Sequence, residues 1–205
     1  MADTNTKNAA ADTENLTDAM HYLTEALIQN GIKNMYGVIG IPVTDFARVA
    51  QGKGIRYIGM RHEADAGNAA QAEAFVTGKP GVYLTVSAPG FLNGLPPPLE
   101  ATQNGYPVIM IGGSSTRDIV DLDQGDYEGL DQMSYAKAFA KASLRVDKIE
   151  DIPSAVARAM HIAMSGRPGG VYIDFPGETM GQTMDKDEAL AELWVAHQPR
   201  PEMPP

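Results

Sequence analysis

The sequence contains no cysteine, a single tryptophan and only four histidines among its 205 residues. Without thiols there is no disulfide framework, no thiolate nucleophile and no Cys-based zinc or iron–sulfur site, and four scattered imidazoles leave little for a His-based metal centre. No metal ligands are therefore assigned. Long hydrophobic runs are also missing. No apolar run exceeds the length of Val108-Ile109-Met110-Ile111, far short of the roughly 20 residues that span a bilayer, so no membrane partner is expected. The first fifteen residues, MADTNTKNAAADTEN, lack the apolar stretch of a secretory signal. Basic charge is scarce: 16 Lys+Arg face 26 Asp+Glu for a net charge of −10. Such a surface repels phosphate, so no nucleic-acid partner is expected either. Together these absences predict a cytoplasmic protein.

What is present is an ordinary globular composition, 43% apolar and 20% charged. Residues 1–15 read as a disordered tail. Residues 184–205 read as a C-terminal helix running into a Pro-rich linker, HQPRPEMPP from His197 onward. Between these ends the pattern alternates. Thr17 offers an N-cap oxygen to an amphipathic helix at about 18–30, which Gly31 closes. A strand at Met35–Ile39, a turn at Gly40-Ile41-Pro42 and a helix at 44–50 follow. Then come strand Ile55–Met60 with helix Glu63–Val76, strand Gly81–Val86 with a helix to about Gln103, and strand Pro107–Gly112. A strand near Ala140–Val146, a helix at Ile152–Met164 and a strand at Gly170–Asp174 complete the series. Continuous apolar strands separated by helices predict an α/β fold: a three-layer α/β/α doubly wound domain with a mostly parallel sheet of about six strands.

In that architecture sites gather where strands end and helices begin. The turn Arg61-His62-Glu63 places three ionisable residues before a helix of small residues, Ala64 to Ala72. In isolation, a Glu there merely suits the helix dipole. The thin helix surface also admits a planar ligand or a partner helix. The turn Ser87-Ala88-Pro89-Gly90-Phe91-Leu92-Asn93-Gly94 is in isolation a tight strand-to-helix turn. Gly112-Gly113-Ser114-Ser115 has the composition of a phosphate cradle but lacks G-x-G-x-x-G and the P-loop lysine. The stretch Asp121 to Glu128 reads by itself as a solvated acidic loop.

These turns in this order, with Ser165-Gly166-Arg167-Pro168-Gly169-Gly170-Val171-Tyr172-Ile173-Asp174-Phe175-Pro176, resemble the pyrimidine-binding domain of thiamine-diphosphate-dependent decarboxylases and synthases. The likeness covers Leu16–Thr183, so residues 16–183 are expected to be that domain. Met35 to Thr44, Lys79 to Gly94 and Gln124-Gly125-Asp126-Tyr127-Glu128 are more narrowly similar to oxalyl-CoA decarboxylases. The resemblance implies thiamine diphosphate as cofactor, with Ile41, Glu63, Pro89 and Asn93 as cofactor-binding residues. Glu63 would share a proton with the aminopyrimidine, in an apolar setting supplied by the Ala/Gly helix and Ile41. Tyr127 and Glu128 would join it as catalytic residues beside the reacting carbon, with oxalyl-CoA the acyl-CoA substrate. The family's Gly-Asp-Gly and Asn-Asn motifs, which hold diphosphate and Mg2+, do not occur here. A diphosphate-binding domain or subunit and a homo-oligomer are the partners this implies, and the isolated chain is expected to be inactive. A catalytically silent interaction or dimerisation module, and an unrelated doubly wound binding domain, are the alternative readings. Two departures stand out: Pro96-Pro97-Pro98, which is expected to delay the helix start to Pro98, and Gly129, where relatives carry a second Glu.

Overall fold

Gly81–Thr85, Val108–Ser114 and Gly170–Pro176 are buried at every position, which requires a sheet covered on both faces. The structure, a computed structural model, describes residues 15–193. The expected tail at 1–15 and linker from His197 lie outside them, Asn15 excepted. The strands in chain order are β1 (Leu16–Asp18), β2 (Asn34–Gly37), β3 (Arg56–Gly59), β4 (Gly81–Thr85), β5 (Val108–Ser114), β6 (Ala142–Arg145), β7 (Gly170–Pro176) and β8 (Thr183–Asp185). Six of them form one sheet in the order β3-β2-β4-β5-β7-β6, and every pairing within it is parallel. The helices are α1 (Ala19–Gln29), α2 (Thr44–Gly52), α3 (Glu63–Thr77), α4 (Pro89–Asn93), α5 (Pro96–Asn104), α6 (Arg117–Asp121), α7 (Gln132–Phe139), α8 (Ile152–Met164), α9 (Gly177–Met180) and α10 (Lys186–Glu192).

Strand alternation sorts the core into two layers. Val82, Leu84, Ile109, Ile111, Val171 and Ile173 face α1, α2 and α8, while Tyr83, Val108, Met110 and Tyr172 face α3, α5 and α7. This is the expected α/β/α doubly wound arrangement. The chain order places its switch point between β2 and β4, so the loops at their carboxyl ends frame a crevice.

The small residues of α3 serve internal packing. A Cβ on Gly67 would lie 2.4 Å from two carbons of Pro97, and one on Gly81 would lie 2.0 Å from the Ala70 carbonyl oxygen. Ala66, Ala70 and Ala74 are buried against β4 and α5. The thin surface expected to admit a ligand or partner helix is thus filled largely by this chain's own α5.

Two local expectations are corrected. Asp18, not Thr17, caps α1, its carboxylate accepting the His21 N–H at 2.8 Å. Thr17 is instead held in β1, opposite Met184 of β8 in an antiparallel ribbon. The prolines do not delay the helix to Pro98: α5 begins at Pro96, because N–H groups in the first helical turn have no intrahelical acceptor and their loss removes no bond. The segment before it forms the separate helix α4, so little packing is lost.

Candidate active site

The crevice is assembled from the turns after β3, β4 and β5 and from the loop that precedes α7. After β3, the backbone enters α3 through His62, whose Nδ1 accepts the Ala64 N–H at 3.1 Å and caps the helix. Of the three ionisable residues in this turn, Arg61 and His62 face solvent, and Glu63 alone turns inward, 7% exposed. Its carboxylate accepts a hydrogen bond from Asn93 Nδ2 at 3.2 Å. These residues stand thirty positions apart in sequence, and the strand-turn-helix connections after β3 and β4 bring them together.

The second turn explains the glycine between them. A Cβ at Gly90 would lie 2.4 Å from Val86 Cγ2 and 3.1 Å from Glu63 Oε1. Only a glycine fits between Val86 and the carboxylate here. Pro89 opens α4 at the first helical position. Ile41, expected to shield Glu63, is 77% exposed. Ile41 stands free on the rim beside Gly40, whose Cβ would come within 2.8 Å of Val86 Cγ1.

The acidic loop is not simply solvated. Tyr127 is 79% exposed, yet its hydroxyl donates to Glu128 Oε1 at 2.7 Å while Ser87 Oγ donates to Oε2 at 2.7 Å. Ser115 Oγ donates to the Glu128 carbonyl at 2.8 Å. Glu128 is therefore tied to the turns after β4 and β5. Its carboxylate, accepting the tyrosine O–H, holds that hydroxyl above its ordinary pKa, and Asp126 adds to the effect. At Gly129, where a second Glu was expected by likeness, a Cβ would sit 3.1 Å from the Asp126 carbonyl oxygen, so the turn itself favours glycine.

Gly112-Gly113-Ser114-Ser115 proves to be no phosphate cradle. Its first three residues belong to β5 and pair with β7. The glycines admit Tyr172 on one side and Pro42 and Val43 on the other, each within 2.7 Å of a built Cβ. Among the described residues, no group of three or more His, Asp or Glu side chains could hold a metal ion, and no helix is long and apolar enough to cross a membrane.

Sequence reasoning missed Val86, Ser87 and Gln132. Gln132 is wholly buried at the start of α7 and bonds to the Ala88 N–H. Its only sequence signal is a polar residue one turn ahead of the apolar face formed by Met133 and Ala136.

Comparison with known proteins follows this geometry. Residues 17–135 match the family model described as thiamine pyrophosphate enzyme, N-terminal TPP binding domain. The chain is 57% identical over 195 residues to oxalyl-CoA decarboxylase of Escherichia coli (strain K12), covering 95% of this chain and 35% of that protein. It is 42% identical over 171 residues to 2-hydroxyacyl-CoA lyase of Oryza sativa subsp. japonica, covering 83% and 29% respectively. Its identity to 2-hydroxyacyl-CoA lyase 1 of Homo sapiens is 36%, with the same coverage. The chain spans about a third of the length of these curated relatives.

Proposed function

Because the chain belongs to the thiamine pyrophosphate enzymes, through their N-terminal TPP binding domain, we propose that it forms the aminopyrimidine half of the active site of a cytoplasmic lyase. The substrate class is an acyl-CoA, and the reaction is conversion of oxalyl-CoA to formyl-CoA and CO2. Oxalyl-CoA is favoured over 2-hydroxyacyl-CoA by the higher identity to the decarboxylase, 57% against 42%.

The observation that carries the reading is the setting of Glu63. The carboxylate is nearly buried at the carboxyl end of a parallel sheet, steadied by Asn93 and packed closely beside Gly90. Asn93 engages Oε2 of this carboxylate, so Oε1 can serve the edge of a flat heteroaromatic ring. Thiamine diphosphate, when bound, supplies a nucleophilic carbon and an electron sink for decarboxylation. Glu63 would hold a shared proton at the ring nitrogen of the aminopyrimidine, and Asn93 would keep the carboxylate aimed at that nitrogen. Pro89 and Ile41 would flank the ring. Tyr127 and Glu128 would present a hydroxyl and a carboxylate to the reacting end, the carboxylate held by Ser87 and the hydroxyl by the carboxylate. A silent interaction module has no need of a buried carboxylate held in this way, which favours the catalytic reading.

The diphosphate and its Mg2+ are assigned to a diphosphate-binding domain or subunit, in a homo-oligomeric assembly. In support, Ile39, Ile41, Leu92, Leu122 and Tyr127 all stand exposed on the loops and short helix that follow the strands here, and large apolar side chains exposed together mark a surface that another polypeptide covers. The test is Glu63→Gln in the chain joined to a diphosphate-binding partner. Turnover should fall by roughly 10²–10⁴-fold with the fold retained. Turnover within about threefold of the parent would overturn the assignment, being far below what general acid–base catalysis contributes.

A further inference from the structure

Ala88 has φ 41° and ψ −96°, a left-handed conformation that a Cβ opposes. It is buried, and it immediately precedes α4, the helix that brings Asn93 to Glu63. The Ala88 carbonyl accepts the Leu92 N–H at 2.8 Å and so begins that helix. A strained residue at such a position persists only where its surroundings impose it.

Gln132 supplies the constraint. Its Oε1 accepts the Ala88 N–H at 2.7 Å, and its Nε2 donates to the Gly113 carbonyl at 3.0 Å and to Tyr172 Oη at 2.6 Å. Asp174 Oδ1 lies 3.3 Å from the same nitrogen. The amide can be oriented only one way, because a backbone N–H cannot accept and a backbone carbonyl cannot donate. Tyr172 passes its own proton to Asp174 at 2.6 Å, and Arg145 Nε pairs with the other Asp174 oxygen at 2.6 Å. Burial, and then the Asp174 charge, push the Tyr172 hydroxyl well above its ordinary pKa, so it remains a proton donor. A continuous buried chain thus runs from the edge strand β6 through β7 to Ala88, and each of its members is satisfied.

We propose that Gln132 is a positioning residue of the active site: its carboxamide holds Ala88 in the left-handed conformation, which aims α4 so that Asn93 meets Glu63. The link to catalysis rests on the proposed function, but the mechanical claim is testable on the 205-residue chain with no cofactor present. The readout is hydrogen exchange at the Leu92 and Gly94 amides, whose bonds to Ala88 and Gly90 carbonyls close α4. Gln132→Met keeps the side-chain length and removes the amide. Strain of this kind shifts a local equilibrium by about 5- to 150-fold, so exchange at both amides should quicken by about tenfold or more. Amides of α8, on the opposite face of the sheet, should keep their rates. Ala88→Gly removes the Cβ that opposes the conformation, so in that background Gln132→Met should quicken exchange by less than about threefold.

Equal acceleration in both backgrounds, or none in either, would overturn the proposal, as would acceleration spread evenly over α8. If Gln132→Met alone does not fold, recovery of folding in Gln132→Met/Ala88→Gly supports the proposal and continued failure overturns it. None of these outcomes depends on whether Glu63 acts on thiamine diphosphate, which Glu63→Gln tests separately.

Discussion

Glu128 gathers three hydroxyl groups: Tyr127 and Ser87 on its carboxylate and Ser115 on its carbonyl. Since Tyr127 is otherwise in solvent, Tyr127→Phe should leave thermal stability unchanged. In the chain joined to its diphosphate-binding partner, it should lower kcat and kcat/KM together by roughly 10–100-fold, the worth of a hydrogen bond to a charged group. A rise in KM with kcat unchanged would make the hydroxyl a substrate contact instead. At this scale Glu63, Asn93 and the Tyr127-Glu128 pair were singled out by the family resemblance, since in isolation their turns read as a dipole-suited Glu, a tight turn and a solvated acidic loop. Gln132 was hidden because its partners are a backbone N–H, a backbone carbonyl and a tyrosine forty residues away. Nothing in residue type marks such a bond. Ile41 was placed against Glu63 by likeness, and in this chain it stands exposed.

Between elements, α3 packs closely against α5. Gly67→Ala would drive a Cβ into Pro97, and overpacking of this kind costs about 1–3 kcal/mol. Urea unfolding should show that loss, while Gly52→Ala, with nothing within 4 Å of its Cβ, should be neutral or stabilising. Helix α7, which carries Gln132, is capped by Asp131, whose carboxylate accepts both the N–H and the hydroxyl of Ser134. The Ser134 hydroxyl is the main cause holding that carboxyl below its ordinary pKa, against a smaller opposing effect of burial and with further help from the Ser134 N–H and Arg145. A depressed folded pKa means that the contribution is fully present above the unfolded value near 3.9 and is lost as pH falls through the folded value. Asp131→Ala should therefore cost about 1 kcal/mol near neutral pH. Unfolding curves of parent and variant should converge in acid below that folded value, and a gap that persists there would place the effect elsewhere. Long periodic elements were legible: α8 has the limits read from its apolar spacing, Ile152–Met164. The ribbon of β1 and β8 was not, since two three-residue strands far apart in sequence carry no period, and only their pairing decides between Thr17 and Asp18 as the cap.

For the molecule as a whole, the sheet places every candidate side chain at one end, and on the proposed function the chain's chemistry there is that of a half-site. Thiamine diphosphate carries its charge on the diphosphate. This chain has a net charge of −10, no metal-ligating group among the described residues, and a glycine pair in β5 already closed by Tyr172 and Pro42. What it offers is Glu63, Asn93 and the edge of Gly90, enough to orient a neutral ring but too little to offset the lost freedom of a whole ligand. Calorimetry on the isolated chain should therefore show no saturable binding of thiamine diphosphate below about millimolar concentration, with or without Mg2+. No decarboxylation of oxalyl-CoA should be detected. The exposed rim of Ile39, Ile41, Leu92, Leu122 and Tyr127 should draw copies together, giving a sedimentation mass above that of one chain. Adding a diphosphate-binding partner should restore Mg2+-dependent binding, and Glu63→Gln should leave that affinity nearly intact while removing turnover. Tight Mg2+-dependent binding by the isolated chain would mean that it holds diphosphate itself, and the division of the site between two polypeptide units would fall.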